Sequence, residues 1–274
     1  MRCGTREAET DMTILRPASR RQQDIVTLTR ERGRVSVEDL VARFGVTPQT
    51  IRRDLNDLSE ARLITRTHGG AMVASGVENL TYEARKLVAQ SNKQRIGEAA
   101  ARLIPDHSSV FINLGTTTEE VAQALRHHAG LLVITNNLQV ANLLHGNTRF
   151  NLVIAGGTVR AADGGVVGEM AAEAIRRFKV DFAIIGTSAI DEDGTLLDYD
   201  LREVEVSRAI IENARQVVLV TDQTKFTRRA PVRIARLDEI HTLVTDRLPA
   251  RMAPLFERLE IQVIEAGGEI DDEP

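Results

Sequence analysis

Tryptophan is absent from this sequence, and cysteine occurs once, at Cys3. A lone thiol excludes an internal disulfide and a cysteine-based metal site, and suits a reducing compartment. Aromatic residues make up only 3% of the chain, so a surface that stacks bare bases on aromatic rings is not expected. No apolar run approaches the roughly 20 residues of a membrane-spanning helix. The opening stretch M-R-C-G-T-R-E-A-E-T-D-M carries acids where a signal peptide needs an apolar core, so a cytoplasmic protein without membrane contact is expected. Catalytic signatures are missing as well: no H-E-x-x-H, no Ser–His–carboxylate spacing and no cysteine nucleophile stands out. The histidines are scattered, and the adjacent pair His127-His128 reads as a solvated helix end rather than a metal site. Neither catalytic residues nor a metal nor a cofactor is therefore expected.

What is present is an ordinary globular composition, 42% apolar and 27% charged, in 274 residues, enough for two domains. The net charge of −4 is unevenly spread. Residues 16–72 hold eleven Arg against seven Asp and Glu, whereas residues 73–274 hold 22 basic against 29 acidic side chains. A polyanion would meet the basic head rather than the acidic body.

Within the head, Thr47 to Leu58 reads T-P-Q-T-I-R-R-D-L-N-D-L. Thr47 is a good N-cap and Pro48 suits the first helical position. Ile51, Leu55 and Leu58 then share one helical stripe, while Gln49, Thr50, Arg52 and Arg53 face elsewhere. Such a helix buries a narrow seam and presents an amide, a hydroxyl and two guanidiniums, as reading the major groove of DNA requires. An amphipathic surface helix gives the same pattern, so the flanks decide. Upstream lie a helix from Arg20 to Arg32, a second begun by Ser36 and holding Leu40, Val41 and Phe44, and a turn at Gly45-Val46-Thr47. Downstream, residues 63–73 alternate around Gly69-Gly70 as a two-stranded hairpin, with Arg66 and His68 placed to touch the DNA backbone or minor groove. Together these form a winged helix-turn-helix of α+β class.

Residues 1–15 read as a disordered extension, with Met12 a possible alternative start. The head spans 16–73, and 74–91 is a linker that turns helical. Strands and helices alternate over 92–266, and 267–274 is an acidic tail. Continuous apolar strands with intervening helices make this body an α/β domain with a mainly parallel sheet. Ligands of such sheets sit at the carboxyl ends of the strands. There the sequence places Gly115-Thr116-Thr117, Asn136-Asn137, Gly156-Gly157 with Arg160, and Asp222 with Lys225. Thr116 and Thr117 at a helix start suit a phosphate, though the same run serves equally as a cap. Asn136 and Asp222 could take hydroxyls, and Lys225 and Arg160 a phosphate. The competing readings are an Asx cap, a surface ion pair for Asp222 and Lys225, and plain turns at the glycines. Glu203 and Glu205 read as surface or interface charges.

The stretches V-S-V-E-D-L-V-A-R-F-G-V-T-P-Q-T-I-R-R-D-L, G-T-T-T-E-E-V-A-Q-A-L, V-I-T-N-N-L-Q-V-A-N-L-L and L-V-T-D-Q-T-K-F-T-R-R-A-P-V-R-I resemble the DeoR family of bacterial transcription regulators over about residues 19–247. The resemblance implies a body similar to ribose-5-phosphate isomerase and the CoA transferases. It also implies a homo-oligomer, expected to be a tetramer, that grips double-stranded operator DNA and lets go when a phosphorylated sugar or polyol binds. Glycerol 3-phosphate is the effector expected, with another sugar phosphate as the alternative. A sugar-phosphate isomerase with a regulatory head is the rival reading from a different class. Asn113 and Leu201-Arg202-Glu203 depart from the family's usual residues, where effector or interface contacts are expected.

Overall fold

A computed structural model describes residues 19–32, 34–61, 63–67, 69–73 and 81–267. The expected N-terminal extension and nearly all of the acidic tail lie outside the described residues. The head opens with α1 (Arg20–Arg32) and a short strand, β1 (Arg34–Ser36). Ser36 accepts a hydrogen bond from the Asp39 N–H at 3.0 Å and starts α2 (Val37–Phe44), which Gly45 ends at φ 63°. Thr47 likewise accepts from the Thr50 N–H, at 3.2 Å, and starts α3 (Pro48–Glu60). Ile51, Leu55 and Leu58 of α3 are buried against Ile25 of α1 and Leu40 of α2 in one apolar core. Asp54 is buried as well, and Arg21 of α1 donates to it at 2.6 Å, so the charge enters the core already paired.

The expected two-stranded hairpin is present, and a third strand joins it to make an antiparallel sheet. Strands β2 (Ile64–Thr67) and β3 (Gly70–Val73) form the hairpin, and β1 adds to it in the order β1-β3-β2. Pairing β1 with β3 sends Val35 into the head core while Ser36 keeps its capping role. Gly70 permits the approach, because a Cβ there would lie 2.1 Å from the Val35 carbonyl oxygen.

Two helices follow, α4 (Tyr82–Leu87) and α5 (Gln90–Ala101). The body then runs β4 (Ser109–Ile112), α6 (Thr116–Leu125), β5 (Leu132–Thr135), α7 (Leu138–Leu144), β6 (Asn151–Ile154), β7 (Thr158–Arg160), β8 (Gly165–Val167) and α8 (Glu169–Arg176). It continues through β9 (Val180–Ile185), β10 (Ala189–Ile190), β11 (Thr195–Asp198), α9 (Leu201–Glu212) and β12 (Ala214–Thr221). The last elements are β13 (Val232–Arg236), β14 (Thr242–Thr245), α10 (Ala253–Arg258) and β15 (Gln262–Glu265). Seven strands form one parallel sheet, β15-β14-β12-β9-β4-β5-β6. The middles of its central strands, residues 110–112, 182–185 and 217–220, are apolar because both faces are covered. Ile175 of α8, Ile210 of α9 and Phe256 of α10 share one buried cluster. Ile96 of α5, Val121 of α6 and Val140 of α7 share the other. The β7–β8 hairpin and the antiparallel β10-β11-β13 sheet have no counterpart in the sequence reading.

Helices α5 and α6 touch through Gly97, where a Cβ would sit 2.6 Å from the Glu120 carbonyl carbon. Gly97→Ala must push the helices apart and should cost about 1–3 kcal/mol, as overpacked cores do. A urea midpoint equal to that of the parent would show the contact to be looser than this.

Candidate DNA interface and ligand site

On the first two turns of α3, Gln49, Arg52 and Arg53 are exposed, and among the described residues none of the three makes a hydrogen bond or ion pair. Thr50 is half-buried, its hydroxyl 2.9 Å from that of Thr47. The capping pair thus orients the helix start, and the amide and guanidiniums project from the side opposite the apolar seam. Arg66 of the wing is half-buried and donates to the Gly70 carbonyl at 3.4 Å. His68 lies outside the described residues.

In the body, Thr116 and Thr117 are the first residues of α6, 8% and 6% exposed. Their N–H groups have no partner within the helix and lie where its dipole is positive. Thr118 is structural: its hydroxyl donates to the carbonyls of Asn113 at 2.7 Å and Gly115 at 2.8 Å. Asn113 is tied inward too, donating to the Ser207 hydroxyl at 2.8 Å. Asn136 is fully buried and donates to the Val166 carbonyl at 3.2 Å, yet its Oδ1 accepts nothing. Asn137 is the cap of α7.

Asp222 and Lys225 do not form a surface ion pair. Asp222 is 1% exposed and caps the turn Gln223–Thr227 by accepting from the Thr224 N–H at 3.0 Å. Lys225 is half-buried and Arg228 stands near it; among the described residues neither side chain has a hydrogen bond or ion pair. Burial pushes the Lys225 ammonium well below its ordinary pKa, and the positive Arg228 pushes the same way, against Asp222. Lys93 of α5, 4% exposed, belongs to the same group, and burial lowers it to about 8. Arg85 of α4 also acts on Lys225, Arg228 and Lys93. Lys225, Lys93 and Arg228 therefore surround Asp222, with Arg85 beside those cations.

A second, acidic group adjoins the first. Arg160, expected to be free for a phosphate, is instead gripped by carboxylates: Asp163 at 2.7 Å, Asp200 at 2.9 Å and Glu203 at 2.6 Å. Glu203 is accordingly buried rather than a surface charge, whereas Glu205 is exposed. Burial, with Asp198 nearby, raises the Glu203 carboxyl to about 7. Asp198 is 5% exposed, accepts from the Ser188 hydroxyl at 3.2 Å, and is raised by burial.

Gly156 stands apart from the Asp222 group. It is exposed and follows β6, the edge of the sheet, four strands from the β12 end that carries Asp222. At about 4.8 Å per strand that is ~19 Å, beyond the reach of one small ligand. Thr116, two strands from β12, is within ~10 Å by the same measure. Arg85, Lys93, Asp198 and Arg228 were not singled out from the sequence. One signal existed for Lys93: with Ile96, Gly97 and Ala100 it falls on the buried stripe of α5, where a lysine is out of place.

The sequence profile of the DeoR-like helix-turn-helix domain matches residues 21–77, and that of the DeoR C terminal sensor domain matches residues 88–247. The chain belongs to the DeoR family. This DeoR-type transcriptional repressor is 46% identical over 252 residues to the glycerol-3-phosphate regulon repressor of Haemophilus influenzae, covering 92% of this chain and 98% of that one. The Escherichia coli repressor of the same name is 46% identical over 231 residues, 84% of this chain and 92% of its own. Among solved structures, ribose 5-phosphate isomerase A of Methanocaldococcus jannaschii overlaps 50% of this chain and 55% of its own at 15% identity, with a TM-score of 0.38, too slight for a functional argument. Among the described residues of this DeoR chain, no helix is long and apolar enough to cross a membrane. Nor is any group of three or more His, Cys, Asp or Glu arranged among them to hold a metal ion.

Proposed function

We propose that this DeoR protein represses genes of glycerol 3-phosphate metabolism and leaves its operator when glycerol 3-phosphate binds the body. The observation that carries this reading is the pairing of two charge groups. Lys225 and Arg228, cations without a partner among the described residues, stand by the buried carboxylate Asp222, with Asp198 within electrostatic reach of Lys225, and an unsatisfied Asn136 oxygen lies at another strand end of the same sheet. A small ligand with a dianion at one end and hydroxyls at the other suits that polarity. Lys225, Arg228, Thr116 and Thr117 take the phosphate; Asn136, Asp198 and Asp222 take the hydroxyls. Arg160 is a brace for the carboxylates and Gly156 an outlying turn. In the head, Gln49, Thr50, Arg52, Arg53 and Arg66 contact DNA, with Thr47 fixing the helix start and His68 joining them from the wing.

The repressor works in the cytoplasm as a homo-oligomer, a tetramer being expected, so that two heads meet half-sites about 34–36 Å apart. Met170 and Leu201, 69% and 62% exposed, flank the hydrogen bond from the Gly168 N–H to the Arg202 carbonyl and give a second copy apolar surface to cover. The body senses and does not turn over its ligand, so a turnover assay with ribose 5-phosphate should stay at background. Calorimetric titration with glycerol 3-phosphate, deoxyribose 5-phosphate, fructose phosphates and free glycerol tests the effector. Glycerol 3-phosphate should bind most tightly and glycerol not at all. Tighter binding of another sugar phosphate would transfer the role to that ligand.

Binding should also weaken as the solution becomes alkaline. Lys93, lowered to about 8, and Lys225, also lowered by burial, lose protons in the empty site before a free lysine would. A bound dianion needs both ammoniums charged, so protons must be taken up on binding above pH 8. Each such proton costs affinity up to about tenfold per pH unit. The phosphate is already fully ionised there, its second pKa being about 6. A dissociation constant that stays flat from pH 7 to 9.5 would contradict the cation assignment.

A further inference from the structure

The helix joining head to body, α4, contacts both. Ala84 of α4, 4% exposed, and the partly buried Val88 just after it belong to the apolar core of the head, with Ile25, Leu58 and Leu63. The same helix is bonded to the body. The Tyr82 hydroxyl donates to Glu119 of α6 at 2.8 Å, and Arg85 donates through Nη2 to Asp163 at 3.0 Å. A six-residue segment thus touches the DNA-binding core and the sheet domain at once.

Arg85 is only partly satisfied there. Its Nε is buried with no acceptor, while its carbonyl accepts from the Lys93 ammonium. Asp163 does not depend on Arg85, because Arg160 already serves both of its oxygens, at 2.9 Å and 2.7 Å. Moving the Arg85 guanidinium off Asp163 therefore strands no buried charge. Lys225, Arg228 and Asp222 lie within electrostatic reach of Arg85 or Lys93. A phosphate among them offers the oxygen that Nε lacks.

We propose that Arg85 and Lys93 are themselves effector-binding residues, and that the phosphate draws Arg85 from Asp163 and shifts α4 against the base of the head. Ligand arrival is then felt at the connector directly, with no relay through the sheet. This inference rests on the reading that the site takes a phosphorylated polyol.

The test titrates the full-length protein, Arg85→Ala and Arg85→Lys with glycerol 3-phosphate by calorimetry. In parallel, inorganic phosphate serves as a competitor that carries the anionic end alone. Arg85→Ala should raise the dissociation constant for glycerol 3-phosphate about 10- to 100-fold, as loss of a charged hydrogen bond does, and should weaken competition by inorganic phosphate by a similar factor. Arg85→Lys keeps the charge but loses the planar fork, and should fall between. The effector concentration needed to release operator DNA, taken relative to each variant's own ligand-free binding, should rise in step. An unchanged dissociation constant in Arg85→Ala overturns the inference whatever happens to release. Should that variant fail to melt cooperatively, an unchanged constant in Arg85→Lys overturns it and a weakened one supports it. If the parent protein binds no phosphorylated polyol, the reading of the site falls first and this inference with it.

Discussion

Lys225→Ala should leave operator binding at the parent's affinity and abolish release by glycerol 3-phosphate at concentrations that empty the parent from DNA. Lys225 sits in the turn after β12 without a hydrogen bond or ion pair among the described residues, so its removal strands no partner. Asp222 keeps its bonds to Thr224 and its neighbours Lys93 and Arg228. The fold should therefore tolerate the change. The ligand loses a charged hydrogen bond of about 1.5–3 kcal/mol, roughly 10- to 150-fold in affinity. Repression is then kept and induction lost, because an effector shifts an equilibrium only by its difference in affinity for the two states. A variant released at the parent's effector concentration would move the phosphate elsewhere.

Arg52→Ala should weaken operator binding by about 1–3 kcal/mol, the worth of one good bidentate contact to a base. Arg52 is exposed on the second turn of α3, opposite a seam whose residues are buried, so the side chain can leave without disturbing the core. Two forms of loss can be told apart. A loss confined to operator sequence marks base reading. A uniform loss on all DNA, with a shallower salt dependence, marks a phosphate contact. Gel-shift affinity unchanged on both kinds of DNA would remove α3 from the interface.

The head was legible because each of its signals is local. Thr47-Pro48 and Ser36 start helices by bonds to residues three positions on, and the stripe Ile51, Leu55, Leu58 needs only helical period. What was missed there depends on a distant pairing: β1 joins β3 across some thirty-five residues, which no turn signal announces. The same contrast holds in the body. The parallel strands announce themselves as apolar runs with Gly, Thr, Asn or Asp at their ends, and that rule alone puts Thr116, Asn136, Asp222 and Lys225 at the carboxyl end of the sheet. The rule fails where partners come from elsewhere in the chain. Arg160 reads as a free cation because two of the three carboxylates that hold it, Asp200 and Glu203, lie some forty residues away, and Asp163 alone, three residues on, is an ordinary local pair. Arg85 and Lys93 escaped notice because they lie outside the strand ends, on helices next to the head. Gly156 reads as a site residue because sequence shows that a strand ends there and not that the strand is at the edge.

On the proposed function, one chain grips an operator with its head and surrenders it when its body binds a phosphorylated polyol. The most direct test follows fluorescence anisotropy of a labelled promoter fragment from the protein's own locus, with the full-length protein bound, as glycerol 3-phosphate is added. Tight binding to that fragment over random DNA is expected, with a saturable fall in anisotropy that free glycerol does not reproduce. Binding that ignores the promoter sequence, or that persists unchanged at saturating glycerol 3-phosphate, would contradict it.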